Sequence, residues 1–189
     1  MVVHSISRYL LIILSLFLFS LVIIECKSIK FSTSLSPKSL DLKIEKLTHL
    51  HFYLQAIIGG DHPSEVKVAG PNTSFIAFGT LEVEDDNLTV SPDVNSMTIG
   101  RAQGILASAD QNELAYLNVL IFEFTKGVYA NSTLSLLGRN QIDVPNREIP
   151  IVGGSGVFRL SRGFAITSRI RFIPNSSVVL VFGCYVLHY

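Results

Sequence analysis

Cysteine is scarce: the 189 residues hold two, Cys26 and Cys184. Cys26 closes an N-terminal segment that reads as removable, so Cys184 is left alone and a disulfide framework is excluded. Inside "SVVLVFGCYVLHY", with no basic neighbour in sequence, Cys184 reads as a buried small hydrophobe rather than a reactive thiol. An excess of one charge is also lacking. Lys and Arg total 15, as do Asp and Glu, so nothing offers counterion release and no nucleic-acid partner is expected. No stretch carries a helical apolar stripe with caps, which argues against a helical architecture.

Nucleotide motifs are missing as well. "IVGGSGVFRLSRGFAIT" (residues 151–167) places Gly153, Gly154 and Gly156 within four residues. The third glycine of G-x-G-x-x-G is absent, and so is Gly-Lys-Ser/Thr. Strand-like residues follow, so no helix N-terminus awaits a phosphate. The three glycines are instead expected to permit positive φ and a tight turn or bulge between two strands. Ser155 is not a nucleophile elbow, because Val157 stands where the second glycine would be needed.

What is present is apolar residues, 48% of the chain, enough for one domain with a sizeable core. Met1 to Arg8 carries positive charge, and Tyr9 to Ile24 is a greasy run broken only by Ser15 and Ser20. Residues 1–26 therefore read as a secretory signal peptide. An uncleaved anchor is the other reading, although the run is short for a spanning helix. After cleavage no membrane association is expected. Residues 27–46, rich in Ser and Lys, read as a flexible lead-in, and 47–189 as the folded domain. Four Asn-x-Ser/Thr sequons, at Asn72, Asn87, Asn131 and Asn175, lie beside turn-forming residues and suit a secreted glycoprotein.

From Leu47 the pattern has period two. Strands are expected over 47–58, 74–83, 97–108, 114–124, 132–138, 147–152, 162–173 and 177–189. Turns are expected at Gly59–Asp61, Asp85–Asn87, Ser91–Asp93, Ala130–Ser132 and Pro174–Asn175. Over 162–173 the set Phe164, Ile166, Ser168, Ile170, Phe172 is mostly apolar, and the alternate set carries Thr167, Arg169 and Arg171. Eight strands predict an all-β, eight-stranded antiparallel barrel, closed because Val178–Val186 is apolar on both faces: one lines the lumen, the other packs on a subunit.

Few residues suggest chemistry. His49, His51 and His188 could ligate zinc, but no carboxylate or cysteine joins them at ligand spacing; hydrogen-bonded or exposed strand histidines are expected, and no metal. Asp85-Asp86 reads as a solvated turn pair rather than an acid pair. Arg147-Glu148 opens a strand as either a surface ion pair or an anion contact.

Read together, several stretches resemble the plant dirigent family: "LHFY" (50–53), "HPSEVKVA" (62–69), "DDNLT" (85–89), "IGRAQG" (99–104), "STLSLLGRN" (132–140), "REIPIVGGSGVFRLSRGFA" (147–165) and "YVLHY" (185–189). The resemblance covers 47–189. It implies an eight-stranded barrel related to allene oxide cyclases, a glycosylated protein of the extracellular space (apoplast), and self-association, a trimer preferred over a dimer. It further implies a small phenolic guest and no cofactor. Family members steer the coupling of phenoxy radicals, for example coniferyl alcohol to optically active lignans, and a separate laccase or peroxidase makes the radicals. Some relatives act on quinone methides, including dehydration to a pterocarpan.

Among site residues, the resemblance implies guest contact for Arg147, Asn140, Phe52 and Phe158, and a structural turn at Gly153, Gly154 and Gly156. Many members carry aspartate where this chain has Ala56, lignan-forming members carry one at Asn140, and many carry tyrosine at Leu106. No catalytic residue is therefore assigned. "GRN" (138–140) is shared with a branch whose substrates are mostly unknown. Three functions stay open: stereoselective steering without redox activity, a lyase acting on a hydroxylated isoflavonoid, and a non-catalytic cell-wall binding protein.

Overall fold

The computed structural model describes residues 32–40, 42, 44–72 and 77–189. The expected signal segment with Cys26 lies outside the described residues, as do Thr73 and Ser74 of the first sequon. Two compact units divide the chain, 1–41 and 42–189. The described part of the first includes one 3-10 turn, Pro37–Leu40. The second is antiparallel strand with two further 3-10 turns, Gly127–Tyr129 and Gly156–Phe158.

Among the described residues nine strands form it: β1 (Lys46–Ile57), β2 (Glu65–Ala69), β3 (Leu81–Thr89), β4 (Thr98–Ser108), β5 (Ala115–Phe124), β6 (Ser132–Gln141), β7 (Arg147–Ser155), β8 (Arg162–Ile173) and β9 (Ser177–His188). Strands β3 to β9 meander, each paired with the next. Strand β9 then pairs with β1 over twelve residues, from Lys46↔His188 to Ile57↔Ser177. The ring closes where β1 meets β3 at Tyr53↔Thr89 to Gln55↔Asn87. Eight strands thus close the barrel, as the periodicity and the resemblance predict. Closure removes the free edges that would otherwise invite aggregation.

The ninth strand was not expected. Strand β2 shares one edge of β3 with β1, pairing Glu65↔Glu84, Val66↔Val83 and Lys67↔Glu82. Its sequence, Glu-Val-Lys-Val-Ala, is too short and too charged to stand out in a period-two search. Strand β3 itself begins at Leu81, later than the expected 74–83, and runs straight through the expected turn at Asp85–Asn87. Asn87, expected beside a turn, is therefore a mid-strand residue whose Oδ1 accepts from Arg101 at 2.9 Å.

Inward-facing residues fill half of the lumen with aromatic rings. Phe52 stacks on Phe182 (ring centroids 5.9 Å) and meets Phe122 edge-on at 5.2 Å. Towards the far end Phe158 packs on Phe124, Tyr129 and His188. Cys184 belongs to this core, fully buried, with its thiol pushed up to about 12 by burial.

Two bulges change which residues face inward. On β6–β7 the register passes from Ser135↔Gly153 to Leu136↔Ile151, skipping Val152. On β8–β9 it passes from Arg169↔Leu180 to Arg171↔Val179, skipping Ile170. On β8 the inward set before the bulge is Ala165 and Thr167, both fully buried, while the more apolar Phe164 points out at 37% exposure. Beyond the bulge Phe172 lines the lumen. Of the three glycines expected at positive φ in a turn, only Gly156 takes one; Gly153 and Gly154 lie in β7, paired with Ser135 and Leu134 beside the bulge. A Cβ on Gly154 would stand 2.4 Å from the Thr133 carbonyl oxygen and 2.8 Å from Phe158, and Gly156 takes φ +61 to start the turn into β8. Gly153 faces open space.

Candidate functional site

Above the aromatic half the lumen is open. A cavity of about 360 Å³ remains, inside the size range of small-molecule sites. Phe182, Leu120 and Leu54 line it next to the aromatic cluster, and Val178, Leu180 and Phe172 add apolar wall. A flat aromatic guest finds contact on several sides, and close-packed apolar walls are the surroundings that favour it.

Polar groups enter this wall from several strands. Arg147 opens β7 facing inward and is 7% exposed. Glu148 alternates to the exposed side, so the two form no ion pair. The Arg147 guanidinium Nε donates to Asn140 Oδ1, and Nη1 donates to the Val144 carbonyl at 3.2 Å. Both partners are neutral. Burial, and then the neighbouring Arg169, hold the Arg147 guanidinium below its usual range. A buried cation whose hydrogen bonds go only to neutral groups is a ready site for a phenolate or carbonyl oxygen. At the mouth Arg169 lies 3.7 Å from Asp143, and both are well exposed.

The residues singled out in sequence separate into two groups. Arg147, Asn140, Ala56 and Leu106 all line the cavity. Phe52 and Phe158 do not: Phe52 stands behind Phe182 in the aromatic cluster, and Phe158 sits at the opposite end of the barrel. The reason is height: both face inward, but below the open part of the lumen. The three histidines do not share a site. His49 is outside, stacked on Tyr185 at 4.5 Å, and His51 is also outside, edge-on to Tyr53 at 5.3 Å. His188 is inside, with Nε2 2.9 Å from Thr48 Oγ1.

The feature that sequence reasoning missed is a group of buried carboxyls. Glu82, Glu84 and Asp86 alternate along β3 and all point inward, at 0%, 5% and 0% exposure. Asp86 was expected in a solvated turn; instead its Oδ1 accepts a short hydrogen bond from Ser64 Oγ. Strand β2 brings Glu65 directly opposite Glu84. One carboxyl oxygen each from Glu65, Glu84 and Asp86 lie within 4.8 Å of one another. Glu65 and Glu84 line the cavity.

Carboxylates this close and this dry cannot all ionise. Burial first, then the side-by-side Glu82 carboxyl, raises Glu65 to about 8. Burial and the Asp86 and Glu65 charges hold Glu84 well above the usual carboxylate range. Asp86 rises to about 7, chiefly by burial. Burial also raises Glu82, whose Oε1 accepts from the Tyr116 hydroxyl at 3.3 Å. The period-two spacing of residues 82, 84 and 86 was the available signal. It was masked because acids on an inward face invert the usual alternation, and Asp-Asp-Asn has turn composition.

Comparison with known proteins agrees with this barrel. The profile of the family described as dirigent-like protein matches residues 47–187. The chain is 44% identical to Dirigent protein 21 of Arabidopsis thaliana, over 96% of this chain and 99% of that one. It is 41% identical to Pterocarpan synthase 1 of Glycyrrhiza echinata, over 82% and 86% of the two chains. Among solved structures, a pterocarpan synthase dirigent protein superposes with a TM-score of 0.77 at 40% identity, covering 84% of this chain and 99% of the other.

Proposed function

The chain belongs to the dirigent family, and we propose that it is a secreted protein that steers phenolic coupling without redox chemistry of its own. It binds a phenoxy radical or a quinone methide in the barrel and leaves one face open to attack. The radical is made elsewhere, by a laccase or peroxidase. One observation carries this reading: an apolar cavity with an open mouth, whose wall holds a buried arginine hydrogen-bonded only to neutral partners. The guanidinium anchors an oxygen of the guest while the apolar walls fix its plane. Biasing one face over the other by about 1.4 kcal/mol gives tenfold selectivity, which shape and one anchor can supply.

The test is oxidation of coniferyl alcohol by a laccase with and without the protein, read by chiral chromatography. Enantiomeric excess that rises with protein concentration supports steering. A racemic product at every concentration rejects it for this alcohol.

A second reading is a lyase that acts on a hydroxylated isoflavonoid. It is supported by the similarity to the pterocarpan synthases and by carboxyls in the cavity wall that burial and neighbouring acids shift toward the protonated form, since loss of water needs an acid. Incubation of isoflavanols with no oxidase present separates the two readings.

Secretion and self-association belong to the same proposal. Asn72, Asn131 and Asn175 are exposed in turns, as glycan carriers need to be. Outside the barrel Ile105, Val119 and Leu137 stand in register across β4, β5 and β6, each more than 40% exposed. An apolar row of this kind on a closed barrel suits burial against further copies of the chain, in a trimer or a dimer.

A further inference from the structure

We propose that Glu84, backed by Glu65, is the proton donor of the cavity. This rests on the phenolic reading above and adds the group that acts on the guest. Of the acids in the wall, Asp143 sits exposed at the mouth beside Arg169, where it stays solvated. Glu84 is 5% exposed, lines the cavity, and shares a strand face with Glu82 and Asp86. Its Oε1 has no hydrogen-bond partner. A second observation is independent of the acids. Asn118, 3% exposed on β5, lines the same cavity with its Oδ1 also unpartnered. A buried acceptor left open in a cavity wall is costly unless a ligand hydroxyl completes it. The wall thus offers an acid, an acceptor for a hydroxyl, and the Arg147 cation.

The chemistry that uses the acid and the acceptor is closure of a ring onto a quinone methide that carries its own hydroxyl. Glu84 gives its proton to the carbonyl oxygen of the quinone methide. The exocyclic double bond opens as the ring becomes a phenol, and the benzylic carbon takes a lone pair from the guest's hydroxyl, held by Asn118. The new C–O bond forms, and the hydroxyl proton returns to the carboxylate left on Glu84. Nothing is oxidised or reduced, and the net change is an isomerisation.

Glu84 keeps its proton because of what faces it. From β2 come Glu65 and Lys67, from β3 Glu82 and Asp86, from β5 Tyr116 and from β7 Arg147; Arg169 and Asp143 lie at the mouth. The nearest groups are acids, and Arg147 is held by Asn140 and Val144.

The test uses the whole chain and a para-quinone methide with a pendant alcohol, made by oxidising the parent phenol just before mixing. The wild type is expected to accelerate ring closure and to favour one enantiomer. Glu84→Gln, nearly isosteric, is expected to lose about 100-fold of that acceleration, the usual share of a general acid, with little change in KM. Glu84→Asp is expected to recover part of it. The wild-type rate falls as pH rises through the titration of the acid, whereas the Glu84→Gln rate is flat. Independently of turnover, infrared difference spectra at neutral pH should show a protonated carboxylic-acid carbonyl band that Glu84→Gln lacks. A wild type that cyclises the probe together with a Glu84→Gln variant that does so equally well overturns the donor role alone. Absence of the acid band, or stoichiometric calcium binding by the four carboxyls in calorimetry, overturns it too. A wild type that neither binds nor cyclises the probe overturns the phenolic reading and the donor role with it.

Discussion

Asn140 Oδ1 accepts a hydrogen bond from Arg147 Nε inside the barrel, seven residues along the chain and across the β6–β7 connection. A carboxamide holds the guanidinium in place without neutralising it. The arginine therefore keeps its charge available to a guest, at the cost of sitting dry beside a neutral partner.

Arg147→Ala removes that anchor. Hydrogen bonds to charged groups contribute about 1.5–3 kcal/mol, so affinity for a phenolate guest is expected to fall about 10- to 100-fold. Arg147→Lys recovers little, because a lysine cannot hold Asn140, Val144 and the guest with one fork. Calorimetric titration with a nitrophenolate measures both; unchanged affinity in Arg147→Ala would remove the arginine from the site.

Stability should fall as pH rises from about 4 to 8, the reverse of ordinary acid denaturation. In the unfolded chain Glu titrates near 4.5 and Asp near 3.8, while in the fold Glu65 titrates at about 8 and Asp86 at about 7. The folded state keeps protons that the unfolded chain has released. The stability this contributes is whole below the unfolded values and is lost as pH climbs through the folded ones. Melting temperature recorded across this range should decline, and Glu84→Gln or Asp86→Asn should flatten the decline. A wild-type profile that rises steadily to pH 8 contradicts the buried-acid picture.

Neighbouring glycines should differ. Gly154→Ala places a methyl 2.4 Å from a backbone oxygen on β6, an overpacking that costs about 1–3 kcal/mol. Gly153→Ala meets nothing within 4 Å and should stay within about 0.5 kcal/mol of the wild type. Urea unfolding of the two variants checks this; equal losses would mean that conformation, not contact, governs the segment.

Val119→Glu puts a charge into the middle of the exposed row between Ile105 and Leu137. Sedimentation should show dissociation to a monomer with the barrel intact by circular dichroism. An unchanged assembly would place the interface elsewhere.

Much of the fold was legible because the information was local. A strand facing the lumen on one side alternates with period two, and turns announce themselves by Gly, Asn, Asp and Pro, so seven of the eight barrel strands and most turns could be marked from the chain, while β3 overlaps its expected span only at 81–83. The family motifs led to Arg147 and Asn140, and both line the cavity. Phe52 and Phe158 lie outside the cavity lining for a non-local reason: alternation says which side of the wall a residue takes, not how far along the barrel it lies.

The sequence by itself determined that this chain is strand-forming, lacks a disulfide framework and carries balanced charge, since those follow from composition and from side chains two apart. Only the tertiary structure decided that Glu65 on β2 meets Glu84 on β3, that β8 turns its more apolar face outward, and that the acids of the site stand at 65 and 84 rather than at 56 and 140. Register and bulges decide those contacts. One skipped residue exchanges the two faces of a strand, and pairing between strands is fixed when the ring closes, not within any one of them.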